Sequence, residues 1–142
     1  MSKDSVIYEK SKCLAARILR LHAYLKKKGE TVVSAQVVRS GTSIGANVSE
    51  ALYASSRRDF LAKITIAQKE CAETLYWLEL LDDGGYFKSE KARSILGECE
   101  EILKMLVATT KKFRTSPYEV RESADDYDAD FANPLTEGGE PL

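Results

Sequence analysis

The chain has 142 residues, 44% of them apolar and 30% charged, a size and balance that suit one domain around a single core. It holds no uninterrupted run of the roughly 18 apolar residues that a membrane span requires, and Met1 to Lys12 carries charge with no apolar stretch of the secretory kind, so a cytoplasmic protein is expected. The net charge of −1 hides an asymmetry: residues 1–118 sum to +6, and residues 119–142, with one Arg and eight acids, to −7.

Four helices are predicted in chain order. The first covers about Asp4 to Lys28, where Ile7, Leu14, Ile18, Leu21 and Leu25 form a bundle-like stripe. Gly29 suits the position just past its end, and Lys26, Lys27 and Lys28 suit the negative pole of its dipole. The second covers about Val32 to Ala54 with Thr31 as its N-cap, and Val33, Val37, Ile44, Val48 and Leu52 share one side. The third opens on a capping box at Ser56-Arg57-Arg58-Asp59 and reaches about Asp82. Its stripe of Phe60, Ile64, Ala67, Cys71, Leu75 and Leu78 is widened by Leu61, Ile66, Trp77, Leu80 and Leu81, which predicts more than one neighbour. After the turn at Asp82-Asp83-Gly84-Gly85-Tyr86, Ser89 caps a fourth helix that fades near Phe113. Ile95, Cys99, Ile102 and Leu106 form one of its rows, and Leu96, Leu103 and Thr110 a second.

Similar lengths, about 33–40 Å each, and short turns predict an all-α, antiparallel up-down-up-down four-helix bundle. The bundle is assigned to residues 1–116 and an acidic tail to residues 117–142. The tail is rich in acids, Gly and Pro, and too poor in apolar groups to offset its ordering entropy, so disorder is expected there. Tyr118, Tyr127, Phe131 and Leu135 are interleaved with those acids. The tail therefore reads as a solubilising extension or as a segment that docks on the basic body. Cys13, Cys71 and Cys99 are odd in number, sit among apolar neighbours and form no CxxC, so buried thiols are expected rather than a metal or disulfide site.

The most unusual stretch is Arg39-Ser40-Gly41-Thr42-Ser43-Ile44-Gly45-Ala46-Asn47-Val48-Ser49-Glu50-Ala51. Each Gly in a helix interior costs about 1 kcal/mol relative to Ala. Gly41, Gly45 and Ser49 recur every four residues and predict a closely approaching partner, either another helix of the chain or a second subunit. Arg39, Ser43, Asn47 and Glu50 share a face, and Glu73, with Glu70 beside it, is expected to join them. The group reads as a polar network that fixes helix register or subunit contact, or as a pocket in which Asn47, Glu50 and Glu73 would bind or act on a ligand.

Ser43-Ile44-Gly45-Ala46-Asn47-Val48-Ser49-Glu50-Ala51, followed by Asp59-Phe60, Ile66-Ala67, Glu73, Tyr76-Trp77-Leu78 and Gly85-Tyr86, resembles the four-helix-bundle protein family that includes proteins encoded in intervening sequences of bacterial 23S rRNA genes. It is also similar to the accessory variability proteins of diversity-generating retroelements. The resemblance spans roughly residues 5–114. Many relatives carry Gly where this chain has Ala51, and Ser where it has Glu70. The resemblance implies a left-handed bundle, often a ring-like homopentamer. For the retroelement branch it implies binding of RNA or DNA and of a reverse transcriptase through a basic surface. Candidate phosphate contacts are Lys10, Arg17, Arg20, Lys27, Arg57, Arg58, Lys104, Lys111 and Lys112, each of which also reads as part of a solvated helix face.

Enzyme signatures are missing: there is no phosphate-binding glycine loop, dinucleotide fingerprint or nucleophile elbow. Glu70-x-x-Glu73 and Glu98-x-x-Glu101 have the interval of bundle di-metal sites but lack the His, and His22 reads as a boundary residue. A non-catalytic protein without a cofactor or metal is expected.

Overall fold

A computed structural model describes residues 5–115. They form α1 (Val6–Lys27), α2 (Val32–Ala51), α3 (Arg57–Asp83) and α4 (Glu90–Thr115), with no strand among the described residues. The tail assigned to residues 117–142 lies outside the described residues, as does Asp4. Among the described residues no helix is long and apolar enough to cross a membrane.

The helix ends follow from local chemistry. Ser5 begins α1 by accepting a hydrogen bond from the Tyr8 amide at 3.1 Å. Gly29 and Gly85 adopt φ of 88° and 83° just past α1 and α3. In each turn the next amide reaches back to the helix, Glu30 to the Leu25 carbonyl and Tyr86 to the Leu81 carbonyl, which satisfies carbonyls left orphaned at the terminus. Ser56 Oγ accepts from the Asp59 amide at 2.9 Å, and Ser89 Oγ from the Ala92 amide at 3.0 Å.

Two expected caps differ. Thr31 is helical in conformation and its side chain makes no cap bond. Glu30 caps α2 instead, its two carboxylate oxygens accepting from the Val33 and Ser34 amides at 3.0 and 2.7 Å. A longer acidic side chain reaches the first turn from one residue earlier and brings a negative charge to the positive pole. Asp59 reaches back to the Ser55 amide, not to Ser56, so the capping box is one residue wider than the spacing suggested. The second helix also closes at Ala51 rather than near Ala54, where successive amides of Leu52, Tyr53 and Ala54 bond three residues back and tighten the turn.

Cross-helix partners fix the topology. His22 meets Ser34 and Gly41 lies under Ile18; Ser40 meets Thr74; Phe60 stacks near Phe113; Lys10 meets Glu101 and Arg17 meets Ser94. On α1 and α4, as on the other neighbouring pairs, one partner's number rises as the other's falls. The helices therefore run antiparallel in the cyclic order α1, α2, α3, α4, which is the up-down-up-down bundle. Leu14, Ile18, Ile44, Val48, Ile64, Leu78, Ile95, Ile102 and Leu106 form the fully buried centre. Each such aliphatic side chain contributes about 1.5–3 kcal/mol of transfer free energy.

Candidate functional site

The small-residue stretch of α2 faces α1 within the chain. A Cβ added at Gly41 would lie 2.3 Å from Ile18 Cδ1, closer than any real contact, and Ile18 is fully buried. The absent Cβ at Gly41 thus makes room for the end of the Ile18 side chain. At Gly45 the neighbour is the α1 backbone: an added Cβ would meet the Ser11 Cβ and carbonyl at 3.5 Å, an ordinary contact. Ser49 is half-buried one turn further along. Beside the glycines, Ser11 Oγ returns its proton to the Ile7 carbonyl at 2.7 Å, so the close approach buries no unsatisfied hydroxyl there.

The expected five-residue polar network divides into three. Arg39 spans to α3, where its guanidinium donates to Glu70 Oε1 at 3.3 Å and to Glu73 Oε2. Trp77 Nε1 donates to the same Glu73 oxygen at 2.9 Å. These two donors, Arg39 first and then Trp77, hold the Glu73 carboxyl below the usual carboxylate range, and Glu73 in turn raises the Arg39 guanidinium. Ser43 and Asn47 bond to carbonyls of their own helix, Arg39 and Ser43 respectively, at 2.9 Å. Glu50 pairs with Lys63 at 3.3 Å. The residues share a helix face, but three- and four-residue spacing places polar groups within reach of their own backbone, and short side chains take that option. Below Arg39, Thr74 Oγ1 lies 2.8 Å from Ser40 Oγ and 2.7 Å from the Glu70 carbonyl, a buried hydroxyl pair across the α2–α3 seam.

Outside this cluster α3 leaves apolar side chains uncovered. Ile66, Tyr76 and Leu80 are 41%, 56% and 40% exposed on its outer side, with Trp77 half-buried next to them. Tyr53, just past α2, is 71% exposed. The wide apolar arc of the third helix is thus only partly used by the chain itself.

The expected basic residues do not form one face. Lys10 and Arg17 lie on the α1–α4 seam, in ion pairs with Glu101 at 3.3 Å and Glu98 at 2.6 Å. Arg17 also donates to the Lys91 carbonyl and to Ser94 Oγ. Arg57, Arg58, Lys111 and Lys112 gather at the end of the bundle where α3 begins and α4 finishes. The first three have interaction partners, and the Arg57 guanidinium lies 5.1 Å from the Phe113 ring centroid. Lys27 is exposed at the opposite end and Lys104 is exposed on α4.

Where α1 and α4 meet, the bundle is open. A cleft of about 600 Å³ is lined by Arg17, Arg20, Leu21, Tyr24, Tyr86, Phe87, Lys88, Lys91 and Ile95, with Ser89, Ala92 and Ser94. Four cations line it and no carboxylate does. A second cleft of about 240 Å³ further along the same seam is lined by Glu9, Lys10, Cys13, Glu98, Glu101 and Ile102 and has the opposite balance.

Cys13 is exposed in that second cleft, contrary to the expectation of three buried thiols. Ile7, Ser11, Leu14, Ile18 and Leu25 are the buried positions of α1, and Cys13 falls outside their stripe. Cys71 and Cys99 are buried with their sulfurs 3.8 Å apart, and each thiol lies near the other residue's carbonyl. The Cys71 thiol and burial push Cys99 strongly upward, so it stays a neutral, packed thiol. His22 is half-buried, its Nδ1 2.5 Å from Ser34 Oγ. Among the described residues no group of three or more His, Cys, Asp or Glu is arranged to hold a metal ion.

Sequence reasoning missed Arg93. It donates to Asp82 at 3.0 Å, to Glu90 at 2.9 Å and to the Phe87 carbonyl at 3.3 Å, and so locks the α3–α4 turn. Asp82 first and Glu90 second among the charges raise its guanidinium. An acid ending one helix and an Arg in the first turn of the next across a two-glycine turn was the available signal.

Bundle, glycine-lined seam and polar cross-links define a small all-α four-helix-bundle protein. The chain belongs to the 23S rRNA-intervening sequence protein family, whose model matches residues 3–108. It is similar to a crystal structure of a protein with unknown function from the S23 ribosomal protein family of Bacteroides thetaiotaomicron. The two are 47% identical with a TM-score of 0.71, over 75% of this chain and 99% of that one. No curated protein matches the chain.

Proposed function

We propose that the protein is a non-catalytic, homo-oligomeric assembly module that binds RNA or DNA, or a protein that handles them, through its basic surface. The observation that carries the reading is the cation-lined cleft between α1 and α4, where Arg20, Lys88 and Lys91 flank Tyr24 and Tyr86. Cations that meet phosphates beside rings that meet bases are the two elements of sequence-tolerant nucleic-acid binding. The excess of +6 over residues 1–118 supports it. In five copies, the number that the family resemblance implies, residues 1–118 would carry roughly +30 against roughly −35 on the tails, and phosphate binding by that basic part would depend steeply on salt. The uncovered stripe of Ile66, Tyr76 and Leu80 on α3 supports assembly, since apolar side chains grouped on one face gain from being covered by a second copy. A reverse transcriptase is the partner to test if the chain acts in a retroelement.

A second reading, a structural or protein-interaction bundle with no nucleic-acid role, is favoured by the ion pairs of Lys10 and Arg17, which use two expected phosphate contacts internally. Binding of mixed RNA and DNA oligonucleotides at about 50 mM salt separates the two, because phosphate-driven affinity is greatest at low salt. Binding that weakens steeply with salt and is reduced by Arg20→Ala with Lys91→Ala supports the first; no binding rejects it. Light scattering on the wild type and on Ile66→Asp with Leu80→Asp tests the assembly. A monomeric wild type rejects that part.

A further inference from the structure

We infer that the acidic C-terminal segment, around Asp125-Asp126-Tyr127-Asp128-Ala129-Asp130-Phe131, occupies the cation-lined cleft between α1 and α4 of its own chain. The inference stands whether or not nucleic acid binds the same surface.

The charges of cleft and segment are complementary. Among the described residues Arg20, Lys88 and Lys91 pair with no carboxylate, and Arg17, at the cleft edge, is bound to Glu98. The seven-residue segment carries four aspartates and no cation. Shape and polarity match as well. Leu21, Tyr24, Tyr86 and Ile95 give the cleft an apolar and aromatic lining, and about 600 Å³ accommodates an aromatic side chain between carboxylates. Tyr127 and Phe131 each sit next to an aspartate, so one segment offers both kinds of contact.

The segment is also long enough to arrive. Helix α4 runs from the cleft to Thr115, and the 24 residues from Lys91 to Thr115 span roughly 36 Å. An extended chain covers at most about 3.3–3.6 Å per residue, so the ten residues from Ser116 to Asp125 reach roughly 33–36 Å. Asp125 is the first acid pair member able to arrive at Lys91, and Phe131 arrives with slack. Glu119 and Glu122 are too near α4 to do so. Finally, the family match covers residues 3–108, so the acidic segment lies outside the matched part of the chain. Tethering makes the local concentration of such a segment about millimolar, so a weak intrinsic affinity is enough for occupancy.

Zero-length carbodiimide coupling of the full-length protein, read by peptide mass spectrometry, tests this. The reagent joins a lysine amine to a carboxylate only where they touch. The expected products link Lys88 or Lys91 to Asp125, Asp126, Asp128 or Asp130, and they disappear at high salt. Arg20→Glu keeps both lysines and lies on an exposed position, so it leaves the fold intact and lowers the yield roughly fivefold by reversing one charge in the cleft. Lys111 and Lys112, adjacent to the tail in sequence, report that the chemistry works. Tail links to those two with none to Lys88 or Lys91 overturn the inference. So does an unchanged yield in Arg20→Glu. An equimolar mixture of light and isotope-labelled protein must give links within one label only; mixed-label links would show that the cleft takes a tail from another copy and would also overturn it.

Discussion

The buried inner sides of the α1–α2 and α2–α3 seams are closed by small residues, with long charged pairs only on the outer side of the second, while the α1–α4 seam is held by long ones. At Gly41 the Ile18 Cδ1 lies where a Cβ would stand, and at Gly45 the Ser11 backbone lies at contact distance. At Ser40 and Thr74 two short hydroxyl side chains meet in the interior. Across the α1–α4 seam the contacts are Lys10 to Glu101 and Arg17 to Glu98, with side chains 23–56% exposed. Long charged side chains bridge a gap without filling it, and two clefts remain. Close packing and open space are therefore segregated: the first belongs to the seams flanking α2, the second to the α1–α4 seam.

The largest expected effect tests the closed side. Gly41→Ala gains helix propensity but places a methyl on Ile18 Cδ1, and overpacking of about 1–3 kcal/mol outweighs the gain. Ile18→Val removes that Cδ1 and should recover much of the loss in a double-mutant cycle of urea unfolding. Gly45→Ala, with room for its methyl, should be neutral or stabilising by up to about 1 kcal/mol. If both alanines cost the same, the Ile18 side chain yields to the added methyl and its packing does not penalise a Cβ at Gly41.

Next comes the buried hydroxyl pair. Thr74→Val leaves the Ser40 hydroxyl without its partner and should cost about 1–3 kcal/mol, whereas Thr74→Val with Ser40→Ala should cost markedly less, because no buried polar group is stranded. Equal losses in the single and double variants would show that packing, not hydrogen bonding, governs the site.

Acid should weaken the outer side of the same seam. Arg39 and Trp77 depress the Glu73 carboxyl, so its contribution is present above the unfolded-state value and is lost as pH falls through the lower folded-state value. The stability difference between wild type and Glu73→Gln should shrink between about pH 6 and pH 3. Trp77, the one tryptophan of the chain, provides the fluorescence readout. A difference independent of pH would remove the charge of Glu73 from the account.

The smallest effect belongs to the open seam. Lys10→Ala and Arg17→Ala should each cost no more than about 1 kcal/mol, and less at high salt, since exposed ion pairs contribute little. A loss as large as that of Gly41→Ala would erase the contrast between seams.

The candidate site was legible in proportion to how local its causes are. Ser56, Ser89 and Gly29 announced their roles because a cap or a left-handed turn involves only the few residues on either side. Glu30 displaced Thr31 because two rival caps stood next to each other and a one-residue offset decided between them. Arg39, Ser43, Asn47 and Glu50 were placed on one face correctly, but their partners were not. Periodicity gives direction around a helix and says nothing of what lies across from it. Arg93 and the clefts were invisible for the same reason.

Sequence alone determined that four amphipathic helices form, where most of them end, and that Ile44 and Val48 face inward, because hydrophobic period and terminal hydrogen bonding are properties of contiguous residues. Tertiary structure alone decided which seam closes and which opens, that Gly41 faces the Ile18 side chain and Gly45 the α1 backbone, and which cations are already paired. Those outcomes depend on distances between residues tens of positions apart, set by the volume of the side chains that meet there.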